Sequence, residues 1–290
     1  MTIHSVTLDD PDYPSLLIND HQAPAKLYYR GSLTALEGPR VAIIGTRRCT
    51  HYGRQVATQL GLELAEAGVA VVSGLALGID GAAHTGALSV GGAPVIGVVG
   101  SGLDVVYPLR HRGLWHDVAT QGLLVSEAPL GAAPEPWRFP ARNRIIAALA
   151  DAVVVVESHM AGGSNHTVAA AIDRSVPVLA VPGPITSSAS AGSNRLLVEG
   201  CAPVTEVDDV LMAIGLEARG PRRRRDRRPP PGPAESAVLA AIGWSPSSLE
   251  SISLRTGTPP AAVAVALTRL EADGWARAVD GWWERRAPPP

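Results

Sequence analysis

Short runs of apolar, mostly β-branched residues recur at positions 41–44, 69–72, 95–99, 123–125, 153–156 and 178–181. Between and after them lie segments with helical spacing of apolar positions, at 52–67, 81–88, 142–149, 167–174 and 194–199. Strands that are apolar at every position are strands covered on both faces. Their alternation with helices predicts an α/β fold, a doubly wound and mostly parallel sheet. In such a sheet, ligands bind outside the carboxyl ends of the strands.

The loops that leave those ends therefore hold the candidate chemistry. They read GTRRCT at 45–50, SGLALGID at 73–80, GSGLDVVYP at 100–108, EAPLGAAPEPWRFPARN at 127–143, ESHMAGGS at 157–164 and PGPI at 182–185. Glycine lets backbone approach a ligand closely, and helix N-termini present free N–H groups, so several such loops on one edge suit a phosphate- or nucleotide-like ligand. The usual ATP and NAD signatures are missing. Lys26 is the only lysine, which leaves no P-loop, and no GxGxxG follows a strand.

Arg47 and Arg48 follow the first run, as solvated charges or as a phosphate fork. Arg138, Arg142 and Arg144 flank Phe139, the only phenylalanine. An aromatic among arginines resembles a single-strand platform, where bases stack and arginines hold the backbone. Asn143 suits a helix cap or a ligand contact. Asp80 and His84 stand one helical turn apart, a spacing that suits a metal or an acid–base pair. With no third ligand nearby, the pair reads as structure, a helix cap and a loop-bonded histidine. Glu127 and Glu157 end strands and could act as bases, but no nucleophile accompanies them and both read as loop-bonding groups. Gly162–Gly163–Ser164 looks like an anion nest.

Charge divides the chain further. The whole carries −2, but residues 216–234 hold seven basic and two acidic groups. That stretch contains GPRRRRDRRPPPGP and has little to bury, so it predicts a linker. The expected organisation is a lead-in at 1–35, a sheet domain at 36–215, the linker at 216–234 and a small domain at 235–286. The sheet domain has 11 basic and 15 acidic groups, so any anion-binding surface in it must be local. The small domain predicts helices at 235–242, 247–256 and 259–272 and a hairpin through Asp280–Gly281, which together suggest a winged helix. Its third helix offers little beyond Thr268 and Arg269 for base readout, so a packing or protein-interaction module is the favoured reading. No run reaches the roughly 18 residues of a membrane span. The N-terminus has no signal-peptide pattern, and Cys49 and Cys201 form no disulfide framework, so a cytoplasmic protein is expected.

The combination VAIIGTRR, SGLALGIDGAAH, GSGLDVVYP, FPARNRIIAALADAVVVVE, VPGPI and SNRLL, in this order over residues 10–212, resembles the DNA-processing protein A (DprA/Smf) family. The resemblance implies an extended Rossmann-like fold with a winged-helix appendix, and a homodimer that binds single-stranded DNA and loads it onto the RecA recombinase in natural transformation. The family is not known for catalysis, so no catalytic residue, metal or cofactor is expected. Carried onto this chain, the strand-binding set is Arg47, Gly100, Ser101, Phe139, Arg142, Asn143 and Arg144, with Gly163, Ser164, Asn194 and Arg195 as further members. Arg138 stands near where relatives often have a lysine. The chain departs from the family's Ser-Gly-Ser-x-x-Thr at Gly162–Thr167. The competing readings are a nucleotide phosphoribohydrolase-like enzyme, which would need a glutamate on the helix after residue 164 where the first acid is Asp173, and a regulator that binds a small nucleotide.

Overall fold

A computed structural model describes residues 2–217, 228–242, 246–279 and 281–286, in two compact units over residues 1–220 and 221–290. Most of the expected linker, together with Trp244, Asp280 and the tail at 287–290, lies outside the described residues.

In the first unit, seven parallel strands form the centre of the sheet: β3 (Arg40–Ile44), β4 (Ala70–Ser73), β5 (Val95–Val98), β6 (Leu123–Ser126), β7 (Ala152–Val155), β8 (Val178–Ala180) and β9 (Ala202–Pro203). Two earlier strands, β1 (His4–Thr7) and β2 (Lys26–Gly31), add an antiparallel edge beside β6. The order is β1-β2-β6-β5-β4-β3-β7-β8-β9. Winding proceeds outward from β3 in one direction as far as β6, then restarts at β7 on its other side. The crevice of a doubly wound sheet opens at that reversal, above the ends of β3 and β7.

Every residue of β3, β4, β5, β6 and β7 is buried, and alternate residues serve two cores. Val41, Ile43, Val71 and Val154 face a layer built by α2 (His51–Glu66), α3 (Ile79–Leu88), α4 (Arg112–Gln121) and α8 (Val207–Ala213). Ala42, Ile44, Val72 and Val153 face α1 (Ser15–Ile18), α5 (Arg138–Ala148), α6 (Ser164–Asp173) and α7 (Ala191–Val198). At roughly 1.5–3 kcal/mol per buried aliphatic side chain, this double burial is the main force that holds the sheet.

The six expected strands are present, each within a residue or two of its expected bounds. One difference matters for function: α5 begins at Arg138 rather than near 142, so Arg138 and Phe139 are helical and not in a loop. Pro136 and Pro140 make the stretch look irregular, yet proline is tolerated in a first turn, where the N–H has no helical partner.

In the second unit, α9 (Pro233–Ile242), α10 (Leu249–Thr256) and α11 (Pro260–Ala272) enclose Val238, Leu239, Ile252, Val263, Leu267 and Leu270, with a hairpin of β10 (Ala276–Val279) and β11 (Trp282–Arg285). Ser248 caps α10 by accepting from the Ser251 N–H at 3.2 Å, and Gly257 ends it in the left-handed region. Three helices and a two-stranded wing are the winged-helix arrangement.

Candidate functional site

A cleft of about 670 Å³ lies above the strand reversal, lined by the loops after β3, β4, β5 and β7 and by the first turns of α5 and α6. Its β3 loop is tied down by Glu157, which is 1% exposed. The Glu157 carboxylate accepts the Thr50 N–H at 2.8 Å and the Thr50 hydroxyl at 2.5 Å. Thr50 in turn caps α2 by accepting from Gly53 N at 3.1 Å. Gly53 has no alternative there, because a Cβ would sit 2.2 Å from Glu157 Oε2. Both strand-end glutamates are thus engaged, since Glu127 Oε1 pairs with Arg144 Nη2 at 2.6 Å.

The loop so held presents Arg47. Its guanidinium lies 4.8 Å from the Phe139 ring centroid, and the Tyr107 ring packs 5.5 Å from Phe139 at a tilt of 37°. Arg47 and Tyr107 are exposed and Phe139 is half-buried. Gly100 makes the room, because a Cβ there would press on Phe139 Cδ1 at 3.2 Å and the Arg138 carbonyl at 3.3 Å. A smaller cavity of about 40 Å³ runs beneath the column, walled in part by Gly74, Gly100, Tyr107, Phe139 and Arg142. Phe139 is therefore not a bare platform. A base that stacks here joins a column that already exists.

The other arginines of the site differ in state. Arg142 is 6% exposed, and its Nη1 donates to the carbonyls of Gly74, at 2.8 Å, and Val98. Burial lowers its pKa to about 10 against the support of Asp80, and nearby Arg47 lowers it as well. Burial likewise pushes the Asp80 carboxyl up, opposed by Arg142 and by the N–H groups of Ala76 and Gly74. Arg142 thus ties the ends of β4 and β5 to α5 and, being buried, offers the cleft little free charge. Arg138 is bonded to Glu135 at 3.0 Å and Arg144 to Glu127, so both enter the site partly neutralised.

Of the remaining expected residues, Asn143 bridges within the cleft, donating to Gly163 O at 3.2 Å while its Oδ1 accepts from Arg142 Nε. Gly163 and Ser164 line the cleft at the start of α6, although the Ser164 hydroxyl is shared with Ser158 at 2.7 Å. Ser101 is 1% exposed and spends its hydroxyl on Val105 O at 2.8 Å. Asn194 clamps Gly183 through both N–H and C=O at 3.0 Å, Arg195 pairs with Glu199 at 2.7 Å, and neither lines the cleft. Asp80 and His84 are structural: Asp80 accepts from Gly74 N at 3.1 Å, and His84 Nε2 lies 3.2 Å from Ile96 O. Among the described residues no group of His, Cys, Asp and Glu could hold a metal ion. Tyr107, Trp137, His159 and His166 line the depressions of this edge without having been singled out from the sequence. Tyr107 had a signal, the GLDVVYP motif at the end of a strand.

This is an α/β protein whose strand-end cleft sets an exposed arginine against two aromatic rings. Residues 4–215 match the DNA recombination-mediator protein A family and residues 222–281 the DprA winged helix domain. The chain belongs to the DNA recombination-mediator protein A family. It is 43% identical over 256 residues to the putative DNA processing protein DprA of Mycobacterium tuberculosis, covering 84% of this chain and 64% of that protein's length. It is 36% identical to protein Smf of Escherichia coli, over 97% of this chain and 77% of that one. The structure of Streptococcus pneumoniae DprA superposes with a TM-score of 0.69 at 40% identity, covering 72% and 74% of the two chains. DNA processing protein A of Helicobacter pylori, solved for its single-stranded DNA binding mode, gives 0.65 at 31% identity, covering 73% and 95%. Among the described residues, no helix is long and apolar enough to cross a membrane.

Proposed function

We propose that the protein binds single-stranded DNA along the strand-end cleft, without a catalytic step. The observation that carries this is the Arg47–Phe139–Tyr107 column at the mouth of the cleft. Stacking tolerates every base, and an adjoining arginine supplies the attraction to phosphate. The single-strand binding of the Helicobacter relative, at 31% identity, supports the same reading. Membership of the family extends the proposal to a homodimer that passes its strand to the RecA recombinase during transformation or recombination in the cytoplasm. The engagement of Glu127 and Glu157 in loop bonds tells against the phosphoribohydrolase reading, which needs a free acid.

A fluorescence-anisotropy titration over a salt series tests this. Labelled single strands are expected to bind more tightly than duplex of the same length, with little dependence on sequence. Arg47→Ala should weaken all strands alike and reduce the salt slope by about 0.7, the increment of one phosphate contact to a single strand. Equal affinity for duplex at matched salt would overturn the reading.

The winged helix contributes little in this scheme. The outward positions of α11 carry Ala261, Ala262, Val265 and Thr268, and its one exposed cation, Arg269, is bonded to Glu235 at 3.0 Å. A chain ending at Leu216 should therefore keep strand affinity at physiological salt and lose only a salt-sensitive part due to the Arg222–Arg228 run. Loss of binding at low salt by a folded truncation would show that the small unit reads DNA.

A further inference from the structure

We propose that Trp137 is a second base-stacking station of the strand-binding site, separate from Phe139. The inference rests on the single-strand reading and adds a contact to it. Trp137 is 60% exposed, whereas Trp115 of the same unit is buried to 2%. Its indole is held rather than loose. The Nε1–H donates to Glu135 Oε2 at 3.2 Å, and the Arg138 guanidinium lies 4.4 Å from the ring centroid. Arg138 is fixed in turn by the same Glu135 carboxylate at 3.0 Å. One face of the ring is backed by a cation, and its exposure leaves the other to solvent. A rigid aromatic with one free face stacks a base at little cost in side-chain entropy.

The position of the ring matches the groove. Trp137 walls a depression of about 290 Å³ above β5 and β6, which shares Val99, Gly100 and Arg142 with the cavity beneath Phe139. Trp137 and Phe139 are two residues apart at the start of α5, where Trp137 already has helical dihedrals. At about 100° per residue their side chains diverge by about 200°, so the rings stand on opposite sides of the helix end. A strand that crosses this end can stack one base on each side. Neutralisation of Arg138 by Glu135 makes the Trp137 contact a stacking contact rather than an ionic one.

The experiment titrates the full-length protein, Trp137→Ala and Trp137→Phe with a mixed-sequence oligonucleotide and with a fully abasic strand of equal length. Trp137→Ala should weaken the base-bearing strand by about 5- to 150-fold, the range for loss of one stacked base. Its affinity for the abasic strand and its salt slope should not change. Trp137→Phe keeps a ring and should recover most of the loss, while lacking the part of the tryptophan fluorescence quench on strand addition that stacking on Trp137 is expected to give the parent. Equal weakening of both strands, no effect on either, or a Trp137→Phe loss as large as that of alanine would each overturn the assignment. If the parent binds neither strand, the single-strand reading itself fails, an outcome distinct from these.

Discussion

Arg142→Ala is expected to destabilise the large unit by about 2–6 kcal/mol, since it leaves two buried carbonyls without this donor at about 1–3 kcal/mol each. The side chain is 6% exposed, and its guanidinium, with Arg47, opposes the upward shift of buried Asp80. Removing it weakens the Coulombic support of buried Asp80 and leaves the carbonyls of Gly74 and Val98 without this donor. Lysine should not rescue, because it lacks the planar fork and Arg142 also bonds Asn143 at 3.2 Å through Nε. A urea titration followed by circular dichroism measures the effect as a lowered midpoint. An unchanged midpoint with a loss of strand affinity alone would return Arg142 to the phosphate-binding role that its sequence motif suggests.

The second large effect is a pH dependence centred on His84. This ring is fully buried against Ile96 O, and burial lowers its pKa from 6.5 to about 4. The unfolded chain therefore takes up a proton at a pH where the folded chain refuses one. Stability is full above pH 6.5, falls as the pH drops from there to 4, and levels off below. The drop attributable to this group is about 3 kcal/mol, at 1.36 kcal/mol per pH unit. His84→Gln keeps a donor for Ile96 O and removes the titration, so the difference between the two proteins should shrink by that amount between pH 7 and pH 4. Asp80 has the opposite sign, because its carboxyl is raised in the folded state and stability rises as it protonates. Both proteins retain it, so comparing them cancels its contribution. Urea midpoints at pH 7, 5.5 and 4 provide the check, and parallel curves would show that His84 is not the titrating group.

The sheet was legible because burial on both faces leaves a mark at every position. The runs at 41–44 and 153–156 are apolar throughout and became β3 and β7, the two strands that flank the cleft. The loops that follow could be read as the ligand edge by the same reasoning. Residues 112–121 also carry a helical signal: Trp115, Val118 and Ala119 are spaced as one helical face and are buried in α4. Strand β2 was less accessible, because LYYRG runs antiparallel to β6 and the direction of a strand is not written in its own residues. The start of α5 was masked by two prolines.

The sequence alone was enough for the doubly wound α/β fold, the loops at the strand ends and the likeness to the family. Only the tertiary structure decided which arginines are bonded within the protein and which is left facing the cleft. FPARNR places Arg142 and Arg144 beside Arg138 as apparent equals. Their partners come from far along the chain: Gly74 and Val98 are 68 and 44 residues from Arg142, and Glu127 is 17 from Arg144. Those carbonyls converge only because β4 and β5 pair in parallel, with Val72 opposite Ile96, so that both strands end under the first turns of α5. A charge is free or spent according to which acceptors the fold brings within 3 Å of it, and that distance is set by strand register rather than by local sequence.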